Sequence, residues 1–282
     1  MDYKMGKHSV TDKQFYLDPK LKEKMDLCID RCTGKRKLDN LIIIDGDEGF
    51  GKTTLAVSLA YYVHHETKRP FDVNHIFFDL EKLINFAKST EDQIIIWDEA
   101  ALGGLSTQWH SKKQQKLIQL LMVARKKRHF FIFNIPKFFK LAEYILVDRA
   151  ICLVHVYARH ELELGRFCYF KKKSKELLYY DRIRSKARNY NKFMDFWGTF
   201  SNALPKLIDE DAYDKKKDKA IMSIGEDDTK VSKWKGRYDE LCIKLGKCNI
   251  EKKVLSECLD IPINTLYDWA KKGDKSPNLL GE

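Results

Sequence analysis

The sequence predicts an α/β protein: a parallel central sheet covered by helices on both faces, followed by a small all-helical C-terminal domain. Three observations carry this. Between Asp39 and about Asp181, short apolar runs alternate with amphipathic stretches, and near-continuous hydrophobic strands separated by helices are the pattern of a buried parallel sheet. A glycine-rich segment joins the first of these runs to the helix after it. A later run, Ile94–Trp97, ends in two adjacent carboxylates, Asp98 and Glu99, and ligands of parallel sheets gather at the carboxyl ends of strands.

Taken in order, residues 1–38 are polar and form an N-terminal extension with one helix expected at Leu21–Cys32. Residues 39–182 form the core. Strands are expected at Leu41–Ile44, Ile76–Phe78, Ile94–Trp97, Phe130–Phe133 and Ile151–Val156, and helices at Thr53–His65, Leu80–Ser89, Lys112–Lys127 and Phe138–Val147. The Arg166–Phe170 and Leu177–Tyr180 runs flank polar Lys171–Glu176 and read as an appended hairpin. Residues 183–230 read as a connector. Its aromatics (Tyr190, Phe193, Phe196, Trp197, Phe200) pack on the core in preference to tracking nucleic acid, and a run of alternating charge follows at Asp214–Lys219. Residues 231–273 form a small helical domain, and residues 274–282 a mobile tail.

A hydrophobic content of 44% can build a real core, which excludes a wholly disordered chain. The apolar runs all fall short of the ~20 residues of a membrane helix, and no signal peptide opens the chain. The balance of 52 Lys+Arg against 41 Asp+Glu, a formal +11, favours polyanionic partners, nucleic acid first and an acidic membrane surface second. Seven cysteines without a CxxC pair argue against a structural zinc site and for a reduced, cytoplasmic compartment.

The most specific signal is Gly46-Asp47-Glu48-Gly49-Phe50-Gly51-Lys52-Thr53-Thr54, which satisfies GxxxxGK[ST] between a strand and a helix. The glycines let backbone N–H groups turn around phosphate oxygens, and the helix start adds its positive end. Lys52 is then placed for the β- and γ-phosphates, the Thr53 hydroxyl for Mg²⁺, and Thr54 for the α-phosphate. Asp98 is the second metal-side residue, acting through the water shell, and Glu99 the residue that polarises the attacking water. The expected cofactors are ATP and Mg²⁺. A small-molecule kinase rarely needs that second acid, so the pair favours hydrolysis coupled to work. One strand, Ile76–Phe78, lies between the two motifs in sequence. An extra strand between the loop strand and the acid strand would make this a P-loop NTPase of the additional-strand (RecA-like) type.

A third signal is Ala124-Arg125-Lys126-Lys127-Arg128-His129 followed by the strand Phe130–Phe133 and Asn134. Asn134 stands where a polar side chain senses the γ-phosphate or holds water. Arg125 or Arg128 has the reach of an arginine finger. The same cluster also reads as a helix C-terminus complementing its dipole, a solvated face or a DNA-contacting patch.

Together, GxxxxGKT, IIIWDEA, ARKKRHFFIFNIPKF and DRAICLVHVY resemble the FtsK/HerA superfamily of DNA-pumping ATPases. Within it, the chain is most similar to the zonular-occludens-toxin-like and viral genome-packaging branch. The resemblance covers roughly residues 38–180. It places Arg125 and Arg128 at the arginine positions, Asn134 at a sensor position usually held by Gln, and Arg149 at a following basic position, which makes it a reserve finger candidate. It implies a homo-oligomeric ring, commonly a hexamer, and a soluble motor.

Val254–Trp269 resembles a helix-turn-helix, with Val254, Leu255, Leu259, Ile261, Leu266 and Trp269 as its core. Asn264, Thr265, Tyr267, Asp268 and Lys271 would face outward toward bases and phosphates. A module that docks a protein partner is the alternative. The leading expectation is an ATP-driven motor that packages or transfers double-stranded DNA for a virus, plasmid or mobile element in the (host) cytoplasm, with a portal, capsid or secretion partner. The alternatives are a nucleotide-switched, sequence-specific DNA-binding regulator or a replication or partition ATPase, and behind them a small-molecule kinase.

Overall fold

A computed structural model describes residues 16–35, 37–98, 107–159, 163–187, 189–222, 251–259 and 261–274. The chain divides at residue 220 into two compact units. Seven strands of the first unit form one sheet: β1 (Asn40–Gly46), β2 (Ile76–Phe77), β3 (Ile94–Asp98), β4 (Phe130–Asn134), β5 (Cys152–Arg159), β6 (Glu163–Lys171) and β7 (Phe196–Thr199), in the spatial order β2-β3-β4-β1-β5-β6-β7. The first five are parallel, with Ile42 opposite Ile132 on one side and Cys152 on the other. β4 therefore sits between the glycine-loop strand and the acid strand, the order of the additional-strand class, whereas the Ile76–Phe77 strand that lies between the two motifs in sequence is at the sheet edge.

Helices α1 (Pro19–Thr33), α2 (Lys52–Thr67), α3 (Leu80–Ser89), α4 (Thr107–Val123), α5 (Lys172–Ser185) and α6 (Glu210–Met222) belong to this unit or leave it. Alternate strand residues serve opposite faces, because side chains of a strand point alternately up and down. Ile42, Ile44, Ile96, Ile132 and Val154 pack with α1 and α2. Leu41, Ile43, Ile95, Phe131 and Phe133 pack with α3 and α4. All ten are fully or almost fully buried, and each contributes about 1.5–3 kcal/mol of transfer free energy. α2 is buried at eight positions, on more than one side, as befits a helix lying under the sheet centre.

The structure departs from the sequence reading at four places in this unit. The sheet is mixed, since β6 runs antiparallel to β5 and β7 antiparallel to β6. The hairpin is β5–β6, and Leu177–Tyr180 lies inside α5. Only Leu178 of that run is fully buried, the signature of a helix stripe that a short window mistakes for a strand. Phe138–Val147 is one 3₁₀ turn, Phe138–Lys140, followed by a π-helix, Tyr144–Arg149. The region read as a connector supplies β7 and α6, with Phe200 and Tyr213 in the core.

In the second unit, α7 (Lys252–Leu259) and α8 (Ile263–Asp274) are joined by a turn at Ile261 and Pro262. The Pro262 carbonyl accepts from Thr265 and Leu266 N–H, at 2.9 and 3.4 Å, and so opens α8. The Ser256 hydroxyl donates to the Ile261 carbonyl at 2.6 Å. Leu266 is buried, while Asn264, Tyr267, Asp268 and Lys271 are exposed and Thr265 is half-buried. Val254, expected in the core, is 47% exposed. Residues 231–250 lie outside the described residues.

Candidate functional site

The site forms at the carboxyl ends of β1, β3 and β4. β1 ends at Gly46, whose φ of 144° opens the loop; a Cβ there would run into the Val156 carbonyl. Gly49 and Gly51 follow with φ of 79° and 90°, conformations that L side chains disfavour. Gly51 is the residue before α2, and α2 has no side-chain cap and no acid in its first turn. By contrast, α1 and α3 are capped by the Asp18 and Asp79 carboxylates. An uncapped first turn leaves backbone N–H donors for an external anion. Lys52 Nζ donates to the Asp47 carbonyl at 2.7 Å, which folds the side chain back over the loop. Burial draws the Lys52 ammonium below its usual range, against the pull of Asp98, Glu48, Asp45 and Asp47. Phe50 packs its ring on the core, while Asp47 and Glu48 are exposed and Thr54 half-buried.

Thr53, Asp98 and Asn134 come from three different elements and meet. Thr53 Oγ1 donates to Asp98 Oδ2 at 2.9 Å. Asn134 Nδ2 donates to Asp98 Oδ1 and to Thr53 Oγ1, both at 3.0 Å. Asp98 and Asn134 are opposite each other in the β3–β4 register, so strand pairing fixes the contact. The Asn134 side-chain oxygen, Oδ1, is buried without a hydrogen-bond partner. This set suits a triphosphate with its metal: a cradle that needs glycine, a lysine over it, a hydroxyl beside a carboxylate, and a polar atom awaiting a donor. Glu99 lies outside the described residues.

Two features of the site were not visible in the sequence. Tyr213 of α6 donates its hydroxyl to Asp98 Oδ2 at 3.1 Å. Its only sequence signal is a lone aromatic in a run of charges. The second feature stabilises the end of β1. The Asp45 carboxylate, 1% exposed, accepts from Tyr190 OH at 2.6 Å and from Phe138 N–H at 3.1 Å, and pairs with His155 Nδ1 at 2.9 Å. The His155 and Tyr190 rings stack with centroids 3.5 Å apart. This network fixes the strand from which the loop springs.

The basic residues lie elsewhere. Arg125 and Arg128 precede β4, so they stand at the amino end of the sheet, opposite the glycine loop. Arg125 is exposed. Arg128 is held by Asp92, with Nε donating to both carboxylate oxygens at 2.9 and 3.1 Å, and by Glu91. Arg149 is buried and ion-paired with Asp39, and it donates to the Leu121 carbonyl at 3.0 Å. That internal pair takes it off the surface and corrects the reading of Arg149 as a reserve finger.

A family profile described as Novel STAND NTPase 3 matches residues 28–140. No curated protein matches the chain. Among solved structures, the chain is similar to the genome packaging NTPase B204 of Sulfolobus turreted icosahedral virus 2, at 13% identity and a TM-score of 0.31, over 49% of this chain and 94% of that one. It is also similar to the N-terminal domain of zonular occludens toxin from Neisseria meningitidis, at 15% identity and a TM-score of 0.38, over 63% of this chain and 98% of that one. A Thermotoga maritima RuvB variant is similar at 11% identity and a TM-score of 0.35, over 90% of this chain and 85% of that one. The glycine loop between β1 and α2 and the β3-β4-β1 strand order give this chain the fold of a P-loop NTPase of the additional-strand, RecA-like type.

Proposed function

We propose that the chain is an ATP-hydrolysing motor that packages or translocates double-stranded DNA as a ring of identical copies in the cytoplasm. The observation that carries the hydrolytic part is the joined triad of Thr53, Asp98 and Asn134 at the mouth of the loop. Bound ATP with Mg²⁺ supplies a cleavable phosphoanhydride and a metal that neutralises its developing charge. The loop N–H groups and Lys52 bind the phosphates. Thr53 and Asp98 hold the metal side. Asn134 orients the terminal phosphate or the water, and Glu99, one residue beyond β3, polarises that water.

What supports DNA is the formal charge of +11 and the exposed Arg125 and Lys126 beside half-buried Lys127. The exposed Arg125 is the remaining candidate for a finger reaching a neighbouring copy, because Arg128 and Arg149 are engaged internally. A portal, capsid or secretion protein is the proposed further partner.

An ATPase titration with duplex DNA tests this. Wild-type turnover should rise with DNA, and Lys52→Ala and Glu99→Gln should each lower it about 100-fold or more. No stimulation across DNA lengths and salt concentrations refutes the motor.

A second reading, a nucleotide-switched DNA-binding regulator, is favoured by α6, which touches Asp98 and runs into the unit that carries α7 and α8. Sequence-selective binding with slow turnover and no strand displacement would favour it over the motor.

A further inference from the structure

Asp98 is 0% exposed. Its Oδ2 already accepts from two hydroxyl groups, Thr53 at 2.9 Å and Tyr213 at 3.1 Å. A carboxylate oxygen has about two lone-pair sites. A metal-bound water that is to donate to Oδ2 must therefore displace one of them. Thr53 is fixed in the first turn of α2 and keeps its hydrogen when its lone pairs serve a metal. Tyr213 is the donor that can leave, because it arrives from outside the parallel strands on a helix near the end of the first unit. The phenol is a neutral donor, its ionisation pushed up by burial and then by Asp98.

Among the described residues, α6 is anchored through Tyr213 and Lys216, and Ala220 packs against the core. Tyr213 packs against Phe78 with ring centroids 5.8 Å apart. Three residues later, Lys216 Nζ donates to the Val73 carbonyl at 2.8 Å and lies 5.4 Å from the centre of the Phe77 ring. The Asp209 carboxylate caps the helix start. The helix then continues to Met222, across the division between the two units at residue 220.

We propose that Tyr213 is a gate on the metal side of the nucleotide site and α6 the strap that carries it, so that seating Mg²⁺-nucleotide on Asp98 releases the phenol and signals along α6 to the C-terminal unit. The gate rests on the nucleotide site proposed above and adds its regulation. Closed, it holds Asp98 away from solvent metal. Open, it frees α6, whose last residues belong to the second unit.

Tyr213→Phe removes the hydroxyl and keeps the ring on Phe78. Lys216→Ala loosens the strap without touching Asp98. Binding of a fluorescent non-hydrolysable ATP analogue is measured with excess MgCl2 and with EDTA, alongside Lys52→Ala. A hydrogen bond to a charged group is worth about tenfold in affinity. Tyr213→Phe should therefore tighten Mg²⁺-dependent binding about tenfold and leave EDTA binding within about twofold. Lys216→Ala should shift it the same way by a smaller factor. In the wild type, the Mg²⁺-analogue should speed amide exchange over residues 209–222. Unchanged or weaker Mg²⁺-dependent binding by Tyr213→Phe, with wild-type binding intact, overturns the gate alone. Wild-type binding no better than that of Lys52→Ala overturns the nucleotide site, and the gate with it.

Discussion

Removing the Arg149 side chain tests whether that residue holds the fold together or acts on nucleotide. Arg149 is 8% exposed and Asp39 3%. The guanidinium pairs with Asp39, immediately before β1, and donates to the Leu121 carbonyl near the end of α4. It thus ties the π-helix to a strand and a helix at once. Its Nε is buried without a partner, so the pair is not fully satisfied. Arg149→Met leaves the Asp39 carboxylate buried and alone, which costs about 3–5 kcal/mol. For a unit of this size, about 4 kcal/mol lowers Tm by roughly 8–16 °C. Urea and thermal melts followed by circular dichroism give the number. Adding Asp39→Asn removes the stranded charge and should recover most of the loss, and the double variant should hydrolyse ATP at close to the wild-type rate. If Arg149→Met melts within about 1 kcal/mol of wild type yet loses turnover, the structural account is wrong.

Two further outcomes follow from the geometry. Gly46→Ala should lose nucleotide binding and at least about 2 kcal/mol of stability, because its Cβ meets the Val156 carbonyl; Gly49→Ala, with nothing within 4 Å, should cost only about 1 kcal/mol, and the contrast is read from urea melts and ligand titration. His129 is buried, with Nδ1 accepting from Gln93 N–H at 3.2 Å and Nε2 donating to the Ala87 carbonyl at 2.9 Å, and burial holds its imidazole below the ordinary range. The folded state therefore favours the neutral ring, so its stability is complete above about pH 6.5 and is lost as pH falls through that value toward the folded pKa; His129→Gln should flatten the fall in Tm over that window.

The sheet and the phosphate loop were legible because they are written in local patterns. Ile42–Ile44, Ile94–Ile96 and Phe130–Phe133 are runs that only a strand buried on both faces explains, and the glycines at 46, 49 and 51 all sit at positive φ, which favours glycine. Asp98 and Asn134 were legible because each ends such a run. Tyr213, by contrast, reaches Asp98 across 115 positions of sequence, and Arg149 reaches Asp39 across 110. Neither pairing leaves a periodicity or a spacing. Leu177–Tyr180 misled because a few apolar residues fit a helix stripe and a strand equally well, and flanking lysines do not decide between them. Val254 misled because an apolar residue on a short helix is assigned to a core by type alone.

The strand that bears the glycine loop sits between β4 and β5, whose first residues are Phe130 and Cys152. During synthesis, β1 emerges before both neighbours, so its Leu-Ile-Ile-Ile stretch is a bare sticky ribbon until the ribosome has passed Cys152 and the rest of β5. Such late, long-range pairing slows folding and leaves the nascent chain open to aggregation. Expression at low temperature or with holdase chaperones should raise the yield of native material more than any change to the C-terminal helices.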